Sequence, residues 1–153
     1  MPNPPSNPAY LDGLPVVFHF SVTGLGGDKD VRFQEITGLT VEVETEPVKE
    51  GGENRYTHIL PVRTKYTNLT LKRAVLNDAD AITWCKNAIE NFDFKPKDLT
   101  IQLLNEKHQP TMSWSIVRAY PIKWVFSNLD ATKNEILLET LTLSYSYFIF
   151  KPR

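Results

Sequence analysis

The apolar residues recur with a period of two over much of the chain, which is typical of β-strands with one buried face. The alternation is clear over residues 16–22 and again over residues 31–45, where Leu39, Val41 and Val43 are expected to face the interior. Further strands are predicted over residues 56–60, 68–75, 99–105, 112–120, 122–127 and 135–150. In the last of these strands, the register is expected to slip once.

Glycine and proline mark the breaks between these strands. Residues 24–28 (Gly-Leu-Gly-Gly-Asp) predict a turn, and Gly38 predicts a bulge or bend. Residues 46–54 are charged and glycine-containing, and they predict a long, flexible loop. Residues 1–14 hold four of the 11 prolines and predict an extended arm, followed by one domain over residues 15–153.

One helix is predicted among the strands, with Asp78 as its N-cap. Its apolar stripe, at spacings of three, four and three residues, consists of Ile82, Cys85, Ile89 and Phe92. We expect this stripe to face the sheets, with Trp84 and Ala88 on its flanks. About seven strands and one helix predict a mainly β fold, a closed or nearly closed antiparallel barrel or sandwich. Its long strands leave edges that must be blunted or paired.

Composition is that of an ordinary globular chain of 153 residues, and it excludes several classes of function. Lys and Arg number 17 against 18 Asp and Glu, so the net charge of −1 lacks the basic footprint of a nucleic-acid-binding protein. The single cysteine excludes an intrachain disulfide or a multi-cysteine zinc site. We see no secretory signal and no apolar run of the roughly 20 residues that span a bilayer, so we expect synthesis in the cytoplasm and no membrane anchor.

The residues that most often carry catalysis are not arranged for it. His19, His58 and His108 do not fall at metal-ligand spacing, and they are expected at the surface or at an interface. Cys85 lies on the apolar stripe of the predicted helix, where a small buried hydrophobe is expected rather than a nucleophile. No Ser-His-acid set or catalytic carboxylate pair is evident. The sequence therefore favours a protein that is not an enzyme and that has no cofactor and no metal.

Three carboxylates, Glu42, Glu44 and Glu46, alternate along one strand and project from one face. Like charges so placed repel one another unless they are solvated or neutralised. One interpretation is a solvated outer face that discourages edge pairing. The other is an electrostatic contact with a neighbouring subunit, whose candidate cations are Arg55, Arg63, Lys65, Lys72 and Arg73.

Several segments together resemble the tail tube (inner tube) proteins of contractile phage tails and, more closely, of extracellular contractile injection systems. They are FHFSV at 18–22, VRFQEITGL at 31–39, VEVETE at 41–46, KEGGENR at 49–55, LTLKR at 69–73, WCKNAIENF at 84–92, LLNE at 103–106, PIKW at 121–124 and ETLTLSY at 139–145. Each segment alone is a weak motif, but their combination and order over residues 15–148 are specific.

The resemblance implies two packed antiparallel sheets that form a barrel-like sandwich with one flanking α-helix. It also implies hexameric rings that stack into a hollow tube, with sheath, baseplate or tube-initiator and cap proteins as partners and with cargo in the lumen. The particle would be released or attached to a membrane. The loop that contacts the adjacent ring maps to Glu46, Pro47, Lys49, Glu50, Gly51, Gly52, Glu53, Asn54 and Arg55.

Other functions stay open at this point. The proline-rich start is longer than is usual in the family, which leaves a specialised tube-initiator ring at the baseplate as an alternative. The secreted tube protein of type VI secretion shares the implied fold but not this run of motifs. A small-ligand-binding β-barrel would need an apolar cavity with a few convergent polar groups, and a hydrolase would need a nucleophile beside a base.

Overall fold

Ten strands and one helix make up the computed structural model, which describes residues 19–26, 29–52, 54–75 and 79–152. They are β1 (His19–Gly26), β2 (Lys29–Phe33), β3 (Glu35–Thr37), β4 (Val41–Val48), β5 (His58–Tyr66), β6 (Leu69–Ala74), α1 (Ala79–Ile89), β7 (Lys97–Leu104), β8 (Pro110–Phe126), β9 (Leu138–Ser144) and β10 (Tyr147–Pro152). The predicted arm, the start of the first predicted strand (residues 16–18) and the Asp78 cap lie outside the described residues.

The long strand β8 belongs to two antiparallel sheets. Its first half lies between β7 and β10 in the sheet β2-β1-β7-β8-β10, and its second half pairs with β9 in the sheet β8-β9-β6-β3. β8 changes sheet near Arg118, whose φ is 55°. Because β2 and β3 are outer edges, the strands do not close into a barrel. The predicted barrel-like sandwich of two sheets with one flanking helix is confirmed.

The last strands of the chain are divided differently from the prediction. The two strands predicted at residues 112–120 and 122–127 are one strand, β8, whereas the single strand predicted at residues 135–150 is divided into β9 and β10. Both β9 and β10 pair with β8 in the same register, through Tyr120↔Ser144 and Tyr147↔Val117. The interruption at Tyr145 therefore lies where β8 passes from one sheet to the other. The register of the β8–β9 pair shifts instead between Pro121 and Lys123 of β8.

The helix packs on the core through a face that is rotated from the predicted one, although Cys85 of the predicted stripe is buried as expected. Its buried residues are Ala81, Trp84, Cys85 and Ala88, which lie on one side of a helix because they are three or four residues apart. Ile89 and Phe92, in contrast, are 42% and 82% exposed. The small side chains of Ala81 and Ala88 let the helix approach the sheets closely. The indole Nε1 of the buried Trp84 donates a hydrogen bond to the carbonyl oxygen of Lys95 at 2.8 Å. With 11 residues, α1 is too short to cross a membrane, and the described part of the chain has no other helix.

The strands differ from expectation in two further ways. β1 and β2 pair antiparallel up to Gly26↔Lys29, so the chain reverses within the predicted turn at residues 24–28, but residues 24–26 still belong to β1. Gly24 has a φ of 99°, and a Cβ there would meet the carbonyl oxygen of Asp98 at 2.6 Å. Val41 and Val43 are exposed rather than interior. They belong to a separate two-stranded sheet, β4–β5, that leaves the sandwich.

Candidate assembly surface

The β4–β5 sheet is the outer half of one long hairpin. Its inner half is the β3–β6 pair, with Glu35↔Lys72 and Thr37↔Thr70 in register. The pairing then continues from Val41↔Tyr66 to Val48↔His58. Eight residues at about 3.3 Å each carry the outer half roughly 25 Å along its own strands. We call residues 41–66 the projecting hairpin.

The junction between the two halves is held by tight backbone packing and by aromatic contacts. Gly38 has a φ of 93°, and a Cβ there would lie 2.0 Å from the carbonyl oxygen of Asn68, so only glycine fits. Thr67 Oγ1 donates to the Gly38 carbonyl oxygen at 3.0 Å. The Tyr66 ring meets the edges of Tyr145 and Phe148, with centroids 6.1 and 5.2 Å apart. The base of the projecting hairpin is therefore fixed to the sandwich.

Both faces of the projecting hairpin carry exposed apolar side chains. They are between 38% and 64% exposed, and they are Val41, Val43, Val48, Ile59, Leu60 and Val62. A two-stranded sheet without other cover is marginally stable in water, and contiguous exposed apolar surface marks an interaction site. Within the described residues nothing else pairs with β4 or β5. This segment is therefore the candidate assembly surface.

Two carboxylates of the row on β4 lie opposite cations of the same chain. The guanidinium of Arg63 binds the Glu44 carboxylate, and Lys65 Nζ lies 3.9 Å from Glu44 Oε1. The hydrogen bond from Arg63 holds the pKa of Glu44 below its usual value. Glu42 lies opposite Lys65 in register, and Glu46 opposes Leu60 beyond a bulge in β5. The ion pairs of Glu44 join the two strands, and a role for the carboxylate row between subunits stays a prediction.

Two more of the candidate cations, both on β6, have different surroundings. Lys72 Nζ lies 3.8 Å from Glu35 Oε2 at the surface of the strand pair. Arg73 lies on the opposite face of the strand in the core, where it binds Glu139, and both side chains are only 6% exposed. That burial leaves the Arg73 guanidinium out of reach of a neighbouring subunit.

Glu139 is a core residue that the sequence analysis missed. Trp124 Nε1 donates to Glu139 Oε2 at 3.1 Å, and the Arg73 guanidinium lies 5.5 Å from the centroid of the Phe33 ring. The signal was present in the alternation of β9, because Glu139 shares a face with the buried Leu141 and Leu143. A carboxylate at such a position requires a buried cation, since unpaired charges are rarely tolerated in a core.

The predicted ring-stacking segment lies at the end of the projecting hairpin. Glu46 and Pro47 belong to β4, whereas Lys49, Glu50, Gly51, Gly52, Asn54 and Arg55 form the exposed connection to β5. Gly52 has a φ of 99°, which the turn requires, and a Cβ there would meet nothing within 4 Å. Glu50 Oε2 lies 3.6 Å from His58 Nε2, and the His58 ring lies edge-on to Tyr56 at 5.0 Å. Glu53 lies outside the described residues.

The interior beneath α1 leaves little space for a ligand. The cavity there, lined in part by Arg73, Cys85 and Glu139, measures about 10 Å³. Pockets that hold small molecules are typically about 300–1,000 Å³, so this one has room for about a single water. Burial raises the pKa of the Cys85 thiol to about 12, and the nearby Glu139 contributes. This cysteine is therefore poorly ionised at neutral pH, unlike a catalytic thiol. No group of three or more metal-binding side chains occurs in the described ranges.

Comparisons with known proteins agree with this geometry. The family model of the T4-like virus tail tube protein gp19 matches residues 16–149. A chain of the anti-feeding prophage (AFP) baseplate, 6-fold symmetrised, is 26% identical, with a TM-score of 0.78 over 99% of this chain and 98% of that chain. A chain of the sheath-tube complex of the extracellular contractile injection system PVC, in the extended state, is 24% identical, with a TM-score of 0.78 over 97% and 100% of the two chains.

A chain from the AFP tube terminating cap is 27% identical, with a TM-score of 0.74 over 100% of this chain and 95% of that chain. A comparison with curated protein sequences finds no match. Because the family model spans nearly all of the sandwich and the whole projecting hairpin, the chain belongs to the tail tube protein family of T4-like viruses.

Proposed function

We propose that this protein is the inner-tube subunit of a contractile injection system or phage-like tail. In this proposal six copies form a ring, and the rings stack into a hollow tube. The observation that carries this proposal is the projecting hairpin, which leaves the sandwich with apolar side chains exposed on both faces. Such a segment needs cover, and a second copy of the same chain supplies it at every position of a closed ring.

The sheet edges support a ring rather than a monomer. The outer edges of β2, β3 and β10 have no neighbour among the described residues, and β10 exposes Tyr147, Ile149 and Phe150. An apolar edge strand left open is an aggregation hazard, which closure into a ring removes. The role is then structural: the subunit needs stiffness, closure and an open lumen for cargo, and it performs no chemical step.

The partners follow from the likeness to chains of sheath-tube, baseplate and cap complexes. We infer that this tube is enclosed by a sheath, begins at a baseplate and ends at a cap, in a particle that is assembled in the cytoplasm. The similarity to a chain of the AFP baseplate also supports a second candidate, a tube-initiator ring. An initiator would form single rings that do not extend, whereas a trunk subunit would form stacks.

Sedimentation velocity over a concentration series tests the proposal. The wild-type chain is expected to form species of six times its 17.5 kDa mass and larger. Val43→Lys places a charge on the projecting hairpin and is expected to stay monomeric, whereas Ile89→Lys alters a similarly exposed residue of α1 and is expected to assemble like wild type. Monomeric wild type at every concentration would contradict the proposal, and unimpaired assembly of Val43→Lys would show that the hairpin is not the contact.

A further inference from the structure

The guanidinium group of Arg73 has more hydrogen-bond donors than the core gives it partners. Its Nε donates to Glu139 Oε1, and its central carbon lies 5.5 Å from the centroid of the Phe33 ring. Nη1 is buried and has no hydrogen-bond partner within the described part of the chain. A charged donor that is buried without a partner loses its hydration and gains nothing in return. Nη1 therefore needs an acceptor.

The space for such an acceptor is the small cavity beneath α1. Arg73 lines this cavity together with Glu139, Cys85 and Trp124, and the rest of the lining is apolar. Its volume of about 10 Å³ is close to the smallest that holds one water molecule, and it is far below the volume that an organic ligand needs. A single very small molecule is therefore all that fits beside the guanidinium.

The charges that line the cavity favour a neutral occupant. Arg73 and Glu139 are the only charged residues of the lining and they neutralise each other, so a bound ion would add a buried charge without a counter-charge. Cys85 adds no charge near neutral pH, because burial raises the pKa of its thiol to about 12. An anion would accept from Nη1 but would also be repelled by the carboxylate.

The hydrogen-bonding groups of the lining match a molecule that both accepts and donates. Glu139 Oε1 accepts from Arg73 Nε, and Oε2 accepts from Trp124 Nε1 at 3.1 Å. Each oxygen of a carboxylate has two acceptor positions, so one position is left on each of them. A molecule between Nη1 and this carboxylate would accept from the first and donate to the second, as water does.

We propose that the cavity beneath α1 binds one structural water molecule, which accepts a hydrogen bond from Arg73 Nη1 and donates one to the Glu139 carboxylate. The water completes a buried polar network whose protein members lie on β6, β9 and β8, with Cys85 of α1 at its margin. Buried waters of this kind bind to polar groups that otherwise have no partner. The inference concerns the single subunit and does not depend on the assembly of a tube.

A structure of the full-length chain at a resolution that shows ordered water tests the site directly. Density for one water is expected within about 2.7–3.2 Å of Arg73 Nη1. If Nη1 instead donates directly to an oxygen of the protein, or if side chains fill the space beside it, the inference is wrong.

Ala81→Val provides a second test, because Ala81 is buried and lines the cavity. Its added methyl groups are expected to displace the water and to leave Nη1 without a partner. Oxygen-17 magnetic relaxation dispersion of the dilute monomer should then count one long-lived water fewer than in wild type. Ala88→Val is the matched control, because Ala88 is buried on the same helix but does not line the cavity, and it should leave the count unchanged.

The double variant Arg73→Met/Glu139→Gln separates the loss of the water from crowding of the core. In this background Ala81→Val leaves no charged donor unpaired, so it is expected to lower the urea midpoint at most about half as much as in the wild-type background. Ala88→Val is expected to lower the midpoint equally in both backgrounds. An equal effect of Ala81→Val in both backgrounds, or an unchanged water count, would overturn the inference. If Ala81→Val does not fold, the wild-type structure decides alone.

Discussion

The buried pair of Arg73 and Glu139 allows a quantitative prediction about the stability of the subunit. Both side chains are 6% exposed, and Glu139 also accepts the indole N–H of Trp124 at 3.1 Å. Removing one partner of a buried ion pair leaves an uncompensated charge and typically costs about 3–5 kcal/mol. We therefore expect Arg73→Met to lower the free energy of unfolding by about 3–5 kcal/mol, a large share of the roughly 5–15 kcal/mol of a typical domain.

A double-mutant cycle separates the cost of the lost partner from the net value of the pair. Glu139→Gln keeps an acceptor for Trp124 but leaves Arg73 without a counter-charge, so it is expected to be about as costly as Arg73→Met. The double variant Arg73→Met/Glu139→Gln removes both charges and is expected to cost much less than the two single changes together.

Urea unfolding followed by tryptophan fluorescence measures these differences, in protein dilute enough to be monomeric by sedimentation. The matched control is Lys72→Met, which removes the exposed partner of Glu35 on the other face of the same strand. It is expected to cost at most about 1 kcal/mol, as is usual for exposed pairs. If Arg73→Met cost no more than Lys72→Met, or if the two core changes were additive, the core would not depend on this pair and the reasoning would be wrong.

Four further predictions concern the junction, the core and the hairpin. Gly38→Ala is expected to destabilise the fold by more than about 1 kcal/mol in the same urea assay, because φ is positive there and the added Cβ would lie 2.0 Å from the carbonyl oxygen of Asn68. Gly51→Ala is the control, since a Cβ at Gly51 would meet nothing within 4 Å, and an equal loss of stability in the two variants would contradict the account. Cys85 is expected to resist a thiol reagent at pH 8 until urea unfolds the chain. Burial raises the pKa values of Cys85 and Tyr145 to about 12, so the native state holds these two protons more tightly than the unfolded state does. The free energy of unfolding should therefore fall as the pH rises from about 9 towards 12, and a flat profile would refute this. Glu44→Lys places a third positive charge beside Arg63 and Lys65, and it is expected to reduce assembly in sedimentation velocity and to leave the sandwich folded. Unchanged assembly would favour the other interpretation, in which the carboxylate row is a solvated outer face.

The sequence predicts the sandwich well because its strands obey a strict alternation. Leu69, Leu71 and Arg73 share one face of β6, and Leu141 and Leu143 share one face of β9, as a half-buried sheet requires. The helix was placed correctly and Cys85 is buried as predicted, but Ile89 and Phe92 of the predicted stripe are exposed. Its large apolar residues suggested the buried face, whereas the structure buries the face with Ala81 and Ala88, because small residues allow close approach to the sheets.

The candidate assembly surface was the hardest feature to predict from the sequence. Val41 and Val43 alternate like core residues, and alternation shows which side chains share a face without showing what covers that face. In one subunit these residues are exposed, because the pairing of β4 with β5 continues past the end of the sandwich. The alternation of apolar and polar residues is therefore compatible with a core that one chain forms alone and with a core that several chains complete together.

Electron microscopy of the purified protein across a concentration series tests the central claim most directly. The account predicts sixfold rings at low concentration and stacked hollow tubes as the concentration rises, with the projecting hairpin in contact with other subunits in a reconstruction. Uniform monomers of 17.5 kDa at every concentration, or assemblies in which the hairpin remains exposed, would contradict it.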